Sequence, residues 1–491
     1  MSASLTKFQQ LKKIITEKVL LGNEPNPELI AILTVYFVQG ILGLARLAVS
    51  FFLKDEIGLN PAEVAALTGI ASIPWVIKPV FGFISDGIPL FGFRRRPYLI
   101  LSGILGSLSW LALATLVDSR MTATIAIFMT SFAVAISDVI VDSLVVTRAR
   151  EESLEAVGSL QSLCWGFSAM GGLITAYLSG WLLEKFTVST IFVITATFPL
   201  LVSLVAWLIH EERVSSLSSS SQSDSQLGFK NQISQLWGAL QQKSIWLPVL
   251  FLFIWQATPN SESAFFFFST NDLGFQPEFL GRLRLVTSIA SLIGIFVFQR
   301  YLKEVSFRKV LVWSTIIAAA LGMTTLLLVT HANRSLGIDD RLFSLGDSLI
   351  LTVMGQITWM PVLVLSARLC PKGVEATLFA LLMSVWNLSL LLSNEIGALI
   401  TAALGITETN FDRLWILIII TNLSTLLPLI FIRWIPEADP QVSFAEAIAE
   451  EDLSLSEASS HHLAGSMIES SLMPDIVPDF VVKSTPKPKQ K

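Results

Sequence analysis

Hydrophobic residues run along this chain in long blocks separated by short polar turns, from about residue 30 to residue 435. A helix needs about 20 mostly apolar residues to cross the hydrocarbon of a bilayer. On that rule the pattern predicts twelve spans: 30–53, 63–84, 97–117, 122–147, 157–183 and 188–209, then 245–270, 278–301, 308–330, 343–366, 375–403 and 412–434. Between the sixth and seventh lies a polar stretch opened by the low-complexity run SSLSSSSQSDSQ, which reads as a flexible linker. The expected organisation is a cytoplasmic segment (1–29), a six-helix bundle (30–210), a cytoplasmic linker (211–244), a second six-helix bundle (245–435) and a disordered cytoplasmic tail (436–491), acidic and Ser-rich before it ends PKPKQK.

Composition places these blocks in a membrane. Of the 491 residues 53% are hydrophobic and 14% charged, where soluble domains carry about 25% charged residues. The net charge of −5 says little about nucleic acid, and the basic residues cluster in short loops between apolar runs and form no basic face suited to a duplex. Cys164 and Cys370 read as inert thiols, and the four histidines (His210, His331, His461, His462) follow no metal-ligand spacing, so neither a metal nor another cofactor is expected. The N-terminus carries no cleavable signal and lacks the Ser/Arg-rich character of a transit peptide, so the first span is expected to drive insertion.

Lys and Arg placement orients the chain. With both termini in the cytoplasm, 23 of the 33 basic residues fall on the cytoplasmic side, 6 on the opposite side, and four (Arg46, Lys78, Arg282, Arg284) inside predicted spans. The two sets of six spans also repeat one another. Phe93–Arg96 after the second span answers Phe307–Lys309 after the eighth at an offset of 214, and Arg148 with Glu155 answers Arg368 with Glu375 at an offset of 220. Trp165 and Ser168 likewise answer Trp386 and Ser389. Two six-helix halves joined by a cytoplasmic linker describe an all-α membrane protein of the major facilitator fold, whose substrate and ion sites lie near the midplane between the repeats.

The candidate chemistry lies in polar residues that interrupt these spans. Asp138 and Asp142 stand four residues apart on one face of the fourth span, where an ionised carboxylate facing lipid costs several kcal/mol. They are expected to face a wet path and to act in proton coupling, since like charges at close range favour retention of a proton. Lys78, about four residues inside the second span, is expected to pair with Asp142 and leave Asp138 freer to protonate. In the first span Tyr36, Gln39, Gly43, Arg46 and Ser50 share a face. Arg46 there either snorkels to the outer interface or holds a carboxylate bidentately. Ser168, Gly172, Ala176 and Gly180, at steps of four, form a close-packing face on the fifth span. The seventh span is broken by WQATPNSESAFFFF, where Pro259 frees a carbonyl beside Gln256, Asn260 and Glu262, a binding wall for the second half. Glu262 alternatively pairs with Arg282 or Arg284. Gln356, Asn387, Asn394 and Glu395 are further buried polar candidates, and the Phe265–Phe268 run reads as core or lipid-facing. The loop pattern GFISDG…GFRRR resembles the major facilitator gating loop, with Asp86, Arg94, Arg95 and Arg96 as its charged members and Arg148 and Glu155 as candidate latch partners.

Four stretches together, LTVYFVQGILGLARL, GIASIPWVIKPVFGFISDGIPLFGFRRRPY, SDVIVDSLVVTRARE and LFIWQATPNSESAFFF, resemble the folate–biopterin transporter family, a branch of the major facilitator superfamily. The resemblance spans roughly residues 29–433 and looks closest to a cyanobacterial member. A plasma-membrane location is therefore expected, with the chloroplast envelope as the alternative, where relatives carry a longer presequence. It implies a monomeric carrier of folates, and of pterins or antifolates, driven by protons. Arg46 with Arg282 or Arg284 would then hold the substrate carboxylates, and Asp138 or Glu262 would accept from the pterin amino group. A carrier of another organic solute, sugar or drug, is the alternative within this fold. No nucleophile–base pair, metal spacing or phosphate loop suggests an enzyme.

Overall fold

Proline and asparagine set the starts of several helices. The computed structural model describes residues 20, 23, 25–151, 154–211, 213, 243–302, 305–368 and 375–435; within its helices, residues 146, 148–151, 154–159, 161, 162, 244, 363, 364, 366–368 and 375–380 are described by backbone only. Helix α1 (Pro27–Glu56) opens with Asn26 accepting from Leu29 N at 2.7 Å and with Pro27 in its first turn, where a missing N–H loses nothing. Helix α2 (Pro61–Gly87) opens with a capping box, Asn60 and Glu63 each bonding the other's backbone N–H at 2.9 and 3.0 Å. It is interrupted at Ser72 and Ile77, ahead of Pro74 and Pro79, because each ring removes a hydrogen bond from the ladder. The third segment of α2 therefore begins at Lys78.

Then come α3 (Arg96–Thr115), α4 (Arg120–Glu151), α5 (Leu154–Lys185) and α6 (Val188–Leu208). The second half holds a broken α7, in two pieces α7a (Lys243–Gln256) and α7b (Glu262–Phe267), then α8 (Pro277–Leu302), α9 (Phe307–Val329), α10 (Asp340–Arg368), α11 (Glu375–Ala403) and α12 (Leu414–Trp434). Among the described residues ten helices are long and apolar enough to cross a membrane, all but α7 and α10. The molecule is an all-α, multi-pass membrane protein. The expected tail, and the expected linker and N-terminal segment apart from a few residues each, lie outside the described residues.

The internal repeat is visible in the packing. In the first half α3 lies against α6, with Ser203 Oγ donating to Ile100 O at 2.8 Å; in the second, α9 meets α12, with Asn422 Nδ2 donating to Gly322 O at 3.3 Å. Across the halves α5 packs on α8 and α2 on α11, two contacts that exchange when the halves are swapped. One group of cross-half contacts gathers where α1 ends and α8 begins. There Lys54 Nζ donates to Asn271 Oδ1 at 2.8 Å, and the Phe51 and Phe266 rings meet edge to face with centroids 5.3 Å apart. Leu47 buries itself with Phe275, Phe279 and Leu280 beside them.

Small residues permit the closest approach. A β-carbon on Gly180 of α5 would collide with Pro277 O and lie 2.7 Å from Gly281 Cα of α8. The face expected from the sequence differs at one position: a β-carbon on Gly171 would lie 2.6 Å from Phe37 O of α1, while one on Gly172 would meet open space, although the backbone of Ser168 and Gly172 packs against Gly40 of α1. The reason is that α5 changes partner along its length, from α1 to α8, so one straight stripe cannot serve both. Gly281→Val should destabilise the protein by about 1–3 kcal/mol through overpacking, read as a lowered unfolding midpoint in detergent. Gly172→Ala should leave that midpoint in place; equal behaviour of the two variants would discard the close-contact account.

Candidate functional site

The kink in α2 aims Lys78 at α4. Its ammonium pairs with Asp138 and lies 3.7 Å from Asp142 Oδ2. Two groups from α1 complete the cluster: Tyr36 donates its hydroxyl to Asp142 Oδ1 at 2.5 Å, and Gln39 Nε2 donates to Asp138 Oδ1 at 3.0 Å. Lys78 also lies over the Trp75 ring, 5.2 Å from its centroid, and Trp75 Nε1 donates to Ser131 Oγ at 3.2 Å. Gln39, Lys78, Asp138 and Asp142 are thus brought together as their sequence pattern suggests. The expected Lys78–Asp142 pair is present, but Lys78 lies closer to Asp138, and the Asp142 side chain is the more exposed of the two acids, 48% against 12%. The break at Ile77 lets the lysine reach the deeper of the two acids, and Tyr36 meets the other.

A second cluster sits nearer the sealed end. Arg284 of α8 lies within electrostatic range of Arg46 of α1 and of Glu262 of α7b. Arg46 is exposed and makes no salt bridge among the described residues. Arg282 is elsewhere. Two residues from Arg284 turn it about 200° around the helix, and it pairs with Glu278 at 2.5 Å on an exposed face. The expectation that either α8 arginine would serve is therefore narrowed to Arg284, and Glu262 faces Arg284, not Arg282.

The break in α7 is stapled to α11. Asn260 Nδ2 donates to Asn394 Oδ1 at 2.7 Å and to Ser393 Oγ at 3.2 Å, while Ser393 Oγ donates to Thr258 O at 2.6 Å. Asn260 and Asn394 thus satisfy one another and hold the irregular backbone. Gln256 and Gln356 are partly buried and make no side-chain hydrogen bond among the described residues; Gln356 packs on Gly294 of α8. Asn387 Nδ2 donates to Trp75 O at 3.1 Å across the halves, and Glu395 packs on Gly69. Phe267 and Phe268 are buried core residues, in keeping with the apolar reading of that run. The pattern alone gave no place to the tryptophan group Trp255, Trp359 and Trp386, whose rings lie 6.1 and 4.0 Å apart around Trp386. Its signal was the correspondence of Trp386 with Trp165 in the repeat.

The loop after α2 is held within its own half. Glu211 accepts the backbone N–H groups of Arg94 at 2.6 Å, Arg95 at 3.0 Å and Arg96 at 3.0 Å, and Arg95 donates to Thr147 Oγ1 at 2.9 Å. Arg96 reaches Ile209 O at 2.7 Å. Asp86 is exposed and makes no hydrogen bond or ion pair among the described residues. The latch partners Arg148 and Glu155 lie outside the described side chains, and Glu211 is the anchor that sequence reading missed. Among the described residues no group of three His, Cys, Asp or Glu is placed to hold a metal ion.

Buried charges thus bridge α1, α2 and α4 in the first half. Residues 39–454 match the BT1 family. The chain is 56% identical over 488 residues to a folate-biopterin transporter of Synechocystis, covering 97% of each protein. It is 33% identical over 410 residues to folate transporter 2 of Plasmodium falciparum, covering 83% of this chain and 88% of that one. Among solved structures the nucleoside transporter NupG superposes with a TM-score of 0.60 at 14% identity, over 83% of this chain and 98% of that one, a likeness of fold. Its relatives are transporters and its architecture is the major facilitator fold, so the chain is a membrane transporter, not an enzyme, and belongs to the folate–biopterin transporter (BT1) family.

Proposed function

We propose that this chain imports folates, with pterins and antifolates as further substrates, by proton symport with alternating access. It would work as a monomer in the plasma membrane with both termini in the cytoplasm. One observation carries the reading: two acids on α4 share one lysine from α2, in a chain 56% identical to a folate-biopterin transporter. A single ammonium can neutralise only one carboxylate. Asp138, the more deeply buried acid, keeps Lys78. Asp142 keeps the Tyr36 hydroxyl and a water-facing side, so it is the acid that takes up and gives back a proton. When Asp142 is ionised it competes with Asp138 for Lys78, and when protonated it does not, which links proton occupancy to the fit of α2 on α4. The halves 30–210 and 245–435 are the moving bodies, and contacts such as Lys54–Asn271 and Gly180–Gly281 keep the non-cytoplasmic side closed while the cytoplasmic side is open. The loop carrying Asp86 and Arg94–Arg96, with Arg148 and Glu155, gates that cytoplasmic side.

Cells expressing the protein should concentrate labelled folate, and a protonophore should abolish the gradient; accumulation indifferent to the protonophore removes the coupling. Unlabelled pterin should compete with folate uptake and sugars should not. Asp142→Asn should end accumulation while leaving membrane abundance and folate exchange down its gradient intact. Lys78→Met leaves two neighbouring acids without a cation and should cost about 3–5 kcal/mol of stability, as expected when one partner of a buried ion pair is removed. Adding Asp138→Asn to Lys78→Met should restore most of the lost abundance, measured in membranes by immunoblot; failure of that rescue would mean the pair is not electrostatically linked.

A further inference from the structure

The two contacts that exchange when the halves are swapped differ in their chemistry. α5 meets α8 through backbone, with Gly180 lying on Gly281. α11 instead presents polar side chains to α2. Asn387 Nδ2 donates to Trp75 O at 3.1 Å, and eight residues further along α11 the carboxylate of Glu395 lies on Gly69. A β-carbon on Gly69 would collide with a carboxylate oxygen and stand 3.1 Å from Glu395 Cδ, so the carboxylate fills the seat that the missing side chain leaves. Gly69 is eight residues from the start of α2 and Glu395 eight from the end of α11, about 12 Å in along each helix. Glu395 is partly buried and makes no hydrogen bond or ion pair among the described residues. Charged groups on the helices packed against α11 are engaged elsewhere. Glu63 of α2 pairs with Arg120 at 2.8 Å and Lys78 with Asp138, while Asp347 of α10 accepts from Thr324 and Thr325 Oγ1 at 2.5 and 2.9 Å. Glu262, past the break in α7, lies in electrostatic range of Arg284. The other described charges of these helices stand at helix ends.

We infer that Glu395 is a second proton site, set in the seam between the halves, whose occupancy decides how firmly α11 lies on α2. The inference rests on the proton-driven, alternating-access reading above and adds to it an acid of the second half. At this depth an ionised carboxylate without a cation costs several kcal/mol, and a neutral carboxyl costs less. Protonated Glu395 therefore stays on Gly69 and the seam holds. Ionised Glu395 is drawn toward water, which reaches the whole contact only when α2 and α11 part. The closed seam is accordingly favoured at low pH and is lost as pH rises through the ionisation of this group. The proton is taken up from the non-cytoplasmic side while the two helices are apart. It is given up from the partly exposed face of Glu395 once the cytoplasmic side is open, and its loss loosens the seam again. Asp142 answers to the proton inside one half, and Glu395 answers to it where the halves meet.

Spin labels at Asp118 and Ser335 read the separation of the halves. Both residues are exposed in equivalent turns, α3 to α4 and α9 to α10, on the side where α2 begins. Label distances are measured by pulsed electron paramagnetic resonance on the purified full chain, its two native cysteines replaced by alanine, from mildly acidic to mildly alkaline pH. Raising the pH should shift the population from short to long distance, by up to about tenfold in their ratio per pH unit for one proton. Asp142→Asn should keep that shift. Glu395→Gln, neutral at every pH, should hold the short distance throughout, and Glu395→Ala should likewise remove the pH dependence. A shift that persists in both neutral variants, or that is absent from Asp142→Asn, overturns the site. Unfolding midpoints identify a variant that fails by misfolding, and the other neutral variant then decides. Folate uptake that follows the proton gradient while the distances ignore residue 395 overturns the seam site and leaves the transport reading standing. A shift that depends on residue 395 in a chain that carries no folate does the reverse.

Discussion

Two carboxylates and one ammonium placed between membrane-spanning helices impose the constraint on which the first half depends. Asp138 and Asp142 lie on one face of α4, and Lys78 is the cation within reach of both. Such a trio cannot be neutral without a proton, and it cannot relax into lipid, where an unpaired charge costs several kcal/mol. The surrounding helices are arranged to satisfy it. α1 lends a hydroxyl and an amide through Tyr36 and Gln39, and α2 breaks its own ladder at Ile77 so that Lys78 begins a new segment facing α4. Three helices are thereby bound by charge and hydrogen bond, not by apolar packing alone.

The contacts between the halves have the opposite character. Gly180 on Gly281, Leu47 on Phe279 and Phe51 on Phe266 are held by dispersion and shape, with few directional bonds. In a membrane there is little hydrophobic drive between helices, so small residues that allow backbones to touch provide much of the attraction. Such a surface separates without stranding buried donors. Lys54 and Asn387 are polar exceptions, Asn387 Nδ2 donating to Trp75 O across the halves at 3.1 Å; Lys54 has an alternative, because Asp55 lies 2.6 Å from its ammonium and can keep it when Asn271 moves away. A strong network within one half and a separable seam between halves is what a rigid-body transition requires.

Much of this was readable in the chain. Helices follow from block length, since a span of about 20 apolar residues has few alternatives in lipid. The acid pair follows from a four-residue spacing, and the broken seventh span from Pro259 amid polar neighbours. What escaped depended on rotation about a helix axis or on partners distant in sequence. Arg282 and Arg284 differ by two residues and so point to nearly opposite sides, and nothing local says which side faces α1. The order of Asp138 and Asp142 around Lys78 depends on where α2 breaks. Asn260 and Asn394 read as open binding groups because the bond between them, 134 residues apart, has no local signal. Glu211 was passed over as linker, although its carboxylate is what anchors the arginine loop.

The repeat makes the distribution of charge informative. At the offset of 220 that aligns α4 with α10, Asp138 and Asp142 correspond to Thr358 and Val362, both buried, and Thr358 spends its hydroxyl on Met354 O at 2.9 Å. At the offset of 214 that aligns α2 with α8, Lys78 corresponds to Leu292, which is exposed. The second half therefore keeps the scaffold of the charged cluster without its charges. The tryptophans around Trp386 and the Asn260–Asn394 staple lie in that half instead. The Lys78–Asp138–Asp142 cluster sits on one body and the tryptophan group on the other.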